Sequence, residues 1–111
     1  MNNIRYNLSD SDVKALCYAL EIMPSYGFFE NEAEANLSFS LASSAGQKLI
    51  FHKPLSNRET YFVALAVDCA FKALRDEMSL GEEELAGLRP YMFTINKLQP
   101  IFSPLLNEGS V

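Results

Sequence analysis

The densest run of chemically capable side chains is His52-Lys53-Pro54-Leu55-Ser56-Asn57-Arg58-Glu59, which holds the single histidine, a hydroxyl, two cations and a carboxylate. Placed just ahead of a helix, such a run can hold an anion, with backbone N–H groups and Lys53 or Arg58 as partners. The candidate ligand-binding residues are His52, Lys53, Ser56, Asn57 and Arg58. The same composition also describes a solvated loop in which Ser56 or Asn57 caps the following helix, and turn chemistry alone accounts for that.

Other constellations are thin. A Cys–His nucleophile pair would need Cys17 or Cys69 beside His52. Cys69 falls deep in an expected helix, roughly 16 Å along its axis, whereas His52 precedes that helix. Two inert core thiols are the plainer expectation. A structural zinc site uses four thiolate or imidazole ligands, and two cysteines with one histidine do not supply them. Glu82, Glu83 and Glu84 are adjacent, so on a helix they point in different directions and do not form an acid–base pair. No GxGxxG, P-loop, HExxH or GxSxG motif is present. We therefore expect no catalytic residues, no metal and no cofactor. Residues 73–88 have the outline of a helix–turn–helix with Gly81 at the turn, but the second helix would aim three glutamates at phosphates. Nucleic acid is not an expected partner. The cluster Tyr91-Met92-Phe93 resembles a binding stripe, although aromatics and methionine at helical spacing usually form core.

These residues must be positioned by four segments. The first is a helix over residues 9–23. Ser9 and Asp12 have capping-box spacing, Leu8 and Val13 suit a hydrophobic staple, and Val13, Leu16, Cys17, Leu20 and Met23 repeat along one face. Pro24 and Gly27 close it. The second, residues 28–53, is ambiguous. Asn31 with Glu34 reads as a helix start, and Leu37, Leu41, Ala45 and Leu49 recur every fourth residue. Yet Leu37-Ser38-Phe39-Ser40-Leu41 alternates as a strand would, and residues 48–52 could pair with it as a hairpin. A lone hairpin is marginal without further strands, so helix is favoured. The alternative fold is α+β with a hairpin at about 36–53. In the third segment, residues 61–74, only Asp68 and Lys72 are not apolar. They stand four apart and can pair on one narrow strip. A helix apolar almost all round must be enclosed by other elements. The fourth begins after Met78, with Ser79 and Glu82 at capping-box spacing, a kink near Gly87 to Pro90, and a second piece with Pro90 in its first turn. Residues 99–111 hold Pro100 and Pro104, and read as an extended or turn-like apolar tail.

A chain of 111 residues suits a single domain spanning 1–111. With 49% apolar and 21% charged residues it is not a disordered chain. A net charge of -5 argues against nonspecific grip on nucleic acid or an anionic membrane. Residues 1–36 carry two cations and six acids, residues 37–75 five and two, and residues 76–111 two and six. A basic centre between acidic flanks suggests that the ends fold over the middle. The N-terminus lacks a secretory pattern and no stretch is apolar enough to span a bilayer, so the expected compartment is cytoplasmic. The expected architecture is all-α, four to five helices around a central apolar helix. The expected function is non-catalytic and works through protein contacts: a homodimer, an adaptor, or an antitoxin-like or immunity-like partner. Ile101, Phe102, Leu105 and Leu106 of the tail are the candidate interface if left undocked, since an exposed apolar patch marks one, although packing on their own chain is the favoured expectation. The alternative is a small-ligand or anion-binding protein using the loop 52–59.

Overall fold

A computed structural model describes residues 3–4, 8–26 and 31–109. The protein is all-α, with five α-helices: α1 (Asp10–Glu21), α2 (Glu32–Ile50), α3 (Asn57–Leu74), α4 (Glu82–Leu88) and α5 (Met92–Gly109). Short 3-10 turns follow α1 at Met23–Tyr26 and α4 at Arg89–Tyr91. A two-residue strand, β1 (Asn3–Ile4), pairs antiparallel with β2 (Leu55–Ser56) and ties the N-terminal segment to the start of α3.

Helix α3 is the axis of the molecule. Ten of its eighteen residues are buried, and α1, α2, α4 and above all α5 pack against it. Val63, Ala64, Val67 and Ala70 meet a core supplied by Ala15, Leu16 and Ala19 of α1, Ala45 and Leu49 of α2, Leu88 of α4, and Ile95, Leu98 and Phe102 of α5. The open strip is wider than the sequence suggests. Tyr61, Leu65 and Asp68 are half-buried and Lys72 exposed, one turn apart along a single line. Asp68 and Lys72 pair on it at 3.0 Å.

The caps explain why the chain starts helices where it does. Ser9 accepts from the Asp12 N–H while the Asp12 carboxylate accepts from the Ser9 N–H, and Ser56 and Glu59 repeat this reciprocal box on α3. Leu8 and Val13 both pack on the core. Asn31 accepts from the Glu34 N–H and begins α2, so residues 36–53 are helix and not hairpin up to Ile50. Gly27, a proposed stop for α1, lies outside the described residues. Ser79 does not cap α4. The cap is Gly81, where a Cβ would collide with the Glu84 carboxylate folded back over it. Gly87 and Pro90 do break the helix as expected, with a 3-10 turn between α4 and α5.

One expectation fails. Residues 99–109 are not an extended tail but the second half of α5, with Pro100 and Pro104 inside the helix. The N–H groups these prolines lack would have bonded the carbonyls of Asn96 and Pro100. All three residues lie on the exposed side of α5, where water can reach a freed carbonyl. The opposite side carries Ile95, Leu98 and Phe102 at helical spacing, all buried, and that burial outweighs the prolines.

The ends do fold over the middle, since α1 and α5 pack on α3, but most ion pairs among the described residues stay within the centre or within the flanks. Lys48 takes Glu59 at 2.8 Å and Lys72 takes Asp68, both within the middle of the chain. The flanks pair with each other through Lys97 and Asp12 at 2.6 Å. Arg75 reaches only Glu77, just beyond the middle, at 2.8 Å. Among the described residues no helix is long and apolar enough to cross a membrane.

Phe102→Ala tests the corrected C-terminal helix. Loss of this fully buried ring is expected to cost about 3–5 kcal/mol in urea unfolding. An extended tail would lose under about 1 kcal/mol.

Candidate functional site

The loop 52–59 is built by the ends of two helices. His52 has φ 55, in the left-handed region. Its N–H bonds the Leu49 carbonyl and the Lys53 N–H bonds the Lys48 carbonyl. This is the Schellman closure of a helix, with the single histidine in the position glycine usually takes. Asp76 closes α3 in the same way, with φ 62 and bonds from Asp76 and Glu77 to the Ala73 and Lys72 carbonyls. His52, Lys53, Asn57 and Arg58 are exposed and Ser56 is half-buried. Ser56 is committed to the cap.

Behind that cap lies the best-connected carboxylate of the protein. Glu59 is buried. Its Oε1 accepts from Lys48 Nζ at 2.8 Å and from the Ser56 N–H at 2.8 Å, and its Oε2 accepts from the Ser44 hydroxyl. Burial alone would raise its pKa. The bonds from Lys48, Ser44 and Ser56 together outweigh burial and hold it at about 2. The positive end of α3 is therefore occupied by the chain's own carboxylate. An anion in the loop would have to approach Glu59. Asp12 is the counterpart on α1: burial opposes its charge, but bonds from Lys97 and Ser9 lower its pKa. Both capping-box carboxylates thus pin a neighbouring helix, α2 through Lys48 and α5 through Lys97.

The nucleophiles stand apart. Cys69 is buried and free, and burial pushes its pKa to about 11. Cys17 is half-buried, its pKa raised by burial and by Glu21, with Sγ 4.0 Å from the Gly46 carbonyl oxygen. Both are protonated thiols at neutral pH. Glu82 and Glu83 are exposed in the first turn of α4, and Glu84 is half-buried. Among the described residues no group of three potential metal ligands exists.

An apolar cleft of about 250 Å³ lies between α1 and α2. Cys17, Leu20 and Glu21 of α1, with Met23 and Pro24, form one wall, and Ser38, Phe39, Ala42, Ser43 and Gly46 of α2 the other. The Ser38 hydroxyl is buried in this wall without a hydrogen-bond partner. Phe39 stands at the rim, 71% exposed, and Ile50 continues the same face, 55% exposed. A second concavity, lined by Ala73, Leu74, Asp76, Leu85, Arg89 and Met92, is more polar. Of the cluster Tyr91-Met92-Phe93, Tyr91 is half-buried while Met92 and Phe93 are exposed, Phe93 to 88%, so most of it is not core.

The tail residues named from sequence are divided by the structure. Phe102 is fully buried, Leu105 and Leu106 pack against the core, and Ile101 is 49% exposed. Reasoning from sequence missed Phe39 and Ile50, although their spacing of eleven places them on one helix face. No known protein family, characterised protein or solved structure matches the chain.

The two mid-helix glycines differ. A Cβ on Gly87 would collide with the Tyr18 ring and hydroxyl, which is held by the Glu84 carbonyl at 3.1 Å. A Cβ on Gly46 would meet only Cys17 Sγ, at 4.0 Å. Measured on dilute protein, Gly46→Ala is expected to stabilise by about 0.5–1 kcal/mol through helix propensity, and Gly87→Ala to destabilise by about 1–3 kcal/mol through overpacking. Equal shifts would contradict this packing.

The ordinary Glu59 value is 4.5, so its depressed folded pKa contributes stability that is fully present above pH 4.5 and lost as pH falls toward 2. The melting temperature should therefore fall between pH 5 and pH 2. Glu59→Gln should flatten that fall, removing about 3 kcal/mol of pH-dependent stability. An unchanged slope would show that Glu59 is not held as described.

Proposed function

We propose that the protein is a non-catalytic module that works by contact with protein, through the cleft between α1 and α2 and the outward face of α2. The observation that carries this is the concentration of apolar surface there: a cleft walled by Leu20, Met23 and Ala42 with Phe39 exposed at its rim, and Ile50 exposed further along α2. Water gains nothing from such a surface, and burying it against a partner releases about 25 cal/mol per Å². An amphipathic helix laid in an apolar groove is a recurring way to use one. Support also comes from what surrounds it. The carboxylates of Glu59 and Asp12 are engaged in holding helices together, and burial raises the pKa of the thiols of Cys17 and Cys69.

A photo-reactive amino acid at Ser43, in the cleft wall, tests the reading against the same group at Glu83 on α4. Irradiation of cells making the full chain should give discrete protein adducts from position 43 and none from position 83. No adduct from position 43, or the same adducts from both, would overturn it.

A further inference from the structure

Gly46 is the residue that the rest of the chain does not explain. Glycine inside a helix costs about 1 kcal/mol relative to alanine, and nothing among the described residues closes on it more tightly than Cys17 Sγ at 4.0 Å. A glycine is of use where another backbone or a large side chain comes close. Its neighbours on the same face of α2 are Glu32, Ala35, Phe39, Ala42, Ser43 and Ile50, and Lys53 follows the helix end. From Glu32 to Ile50 these residues recur at intervals of three and four about the adjacent pair Ala42 and Ser43, the spacing of a helix-packing seam, while Lys53 lies past the left-handed turn at His52.

We infer that this seam pairs with a second copy of itself, α2 lying antiparallel to α2 of the partner about a two-fold axis between Ala42 and Ser43; this rests on the protein-contact reading above. In that register every large residue of the seam meets a small one. Phe39 faces Gly46 of the partner, Ile50 faces Ala35, and Ala42 faces Ser43. A two-fold contact requires one surface to be complementary to itself, and the alternation of large and small along this seam meets the requirement. The charges agree. Glu32 at the start of one helix comes opposite Lys53 beyond the end of the other. Both are exposed, and neither has an ion pair among the described residues, whereas Lys48, Lys72, Arg75 and Lys97 each have one. The antiparallel arrangement also sets the positive end of each helix beside the negative end of the other. The incoming helix would then lie along the cleft, against Cys17 and Leu20 of α1.

Sedimentation equilibrium on the full chain is the test, with circular-dichroism melting of each variant on dilute protein to confirm that it folds. The wild type should show a concentration-dependent dimer. Phe39→Asp, at an exposed position, should be monomeric. Glu32→Lys and Lys53→Glu should each weaken the dimer about tenfold, since each turns two symmetric attractions into repulsions, and the two together should restore it. A dimer indifferent to all of these substitutions lies on another face and overturns the proposal, as does a double variant that fails to recover. A monomer at every concentration, with Ser43 still joined to a different protein on irradiation, overturns the self-pairing and leaves the protein-contact reading standing. A monomer without any adduct removes both.

Discussion

Helix α3 buries ten of its eighteen residues, and the remaining helices are arranged by the need to cover them. Its buried residues are mostly alanine and valine between Phe62 and Ala73. Alanine lets helices approach closely, while the bulk that fills the gaps comes from the covering helices as Leu16, Leu49, Leu88, Leu98 and Phe102. Burial of such side chains is worth roughly 1.5–3 kcal/mol each, which explains how α5 tolerates two interior prolines. Its inward line of Ile95, Leu98 and Phe102 is part of the same cover.

Covering an apolar helix leaves orientation undetermined, because the hydrophobic effect is not directional. Direction is supplied by two carboxylates. Asp12 and Glu59 each begin as the third residue of a helix and close its capping box, then reach a lysine on another helix. A group already fixed by its own cap holds the incoming lysine with little further loss of side-chain freedom, so these pairs are more effective than freely exposed ones. Glu59 also explains why the polar loop 52–59 is crowded. Ser56 caps, His52 closes α2, and the carboxylate fills the positive end of α3. What resembles a ligand site in composition is the junction of two helix ends.

The local features were legible in the sequence. Ser9 with Asp12, the Asp68–Lys72 strip, the enclosed helix of residues 61–74 and the break near Pro90 all depend on neighbours within four residues. The helical reading of residues 36–50 needed the acidic start at Glu32 and Glu34 to outweigh the alternation around Phe39. What was not legible depends on distance along the chain. Lys97 and Asp12 are far apart in sequence, and no composition count pairs them. Pro100 and Pro104 suggested an extended tail, because the rule against interior proline ignores which side of the helix the freed carbonyls face. Phe102 is as apolar as Phe39, and only packing shows that the first is core and the second is not.

Helix α2 is the counterpart of α3: three of its nineteen residues are buried, so its outward face is held by little within its own chain. Native-state hydrogen exchange by mass spectrometry distinguishes the two helices directly. With dilute protein, the amides between Phe62 and Ala73 should exchange only when the whole molecule unfolds, while those between Ala33 and Ala42 should open in a smaller event at lower free energy. If the amides of α3 exchange together with those of α2, or before them, α3 is not the enclosed axis on which the architecture depends.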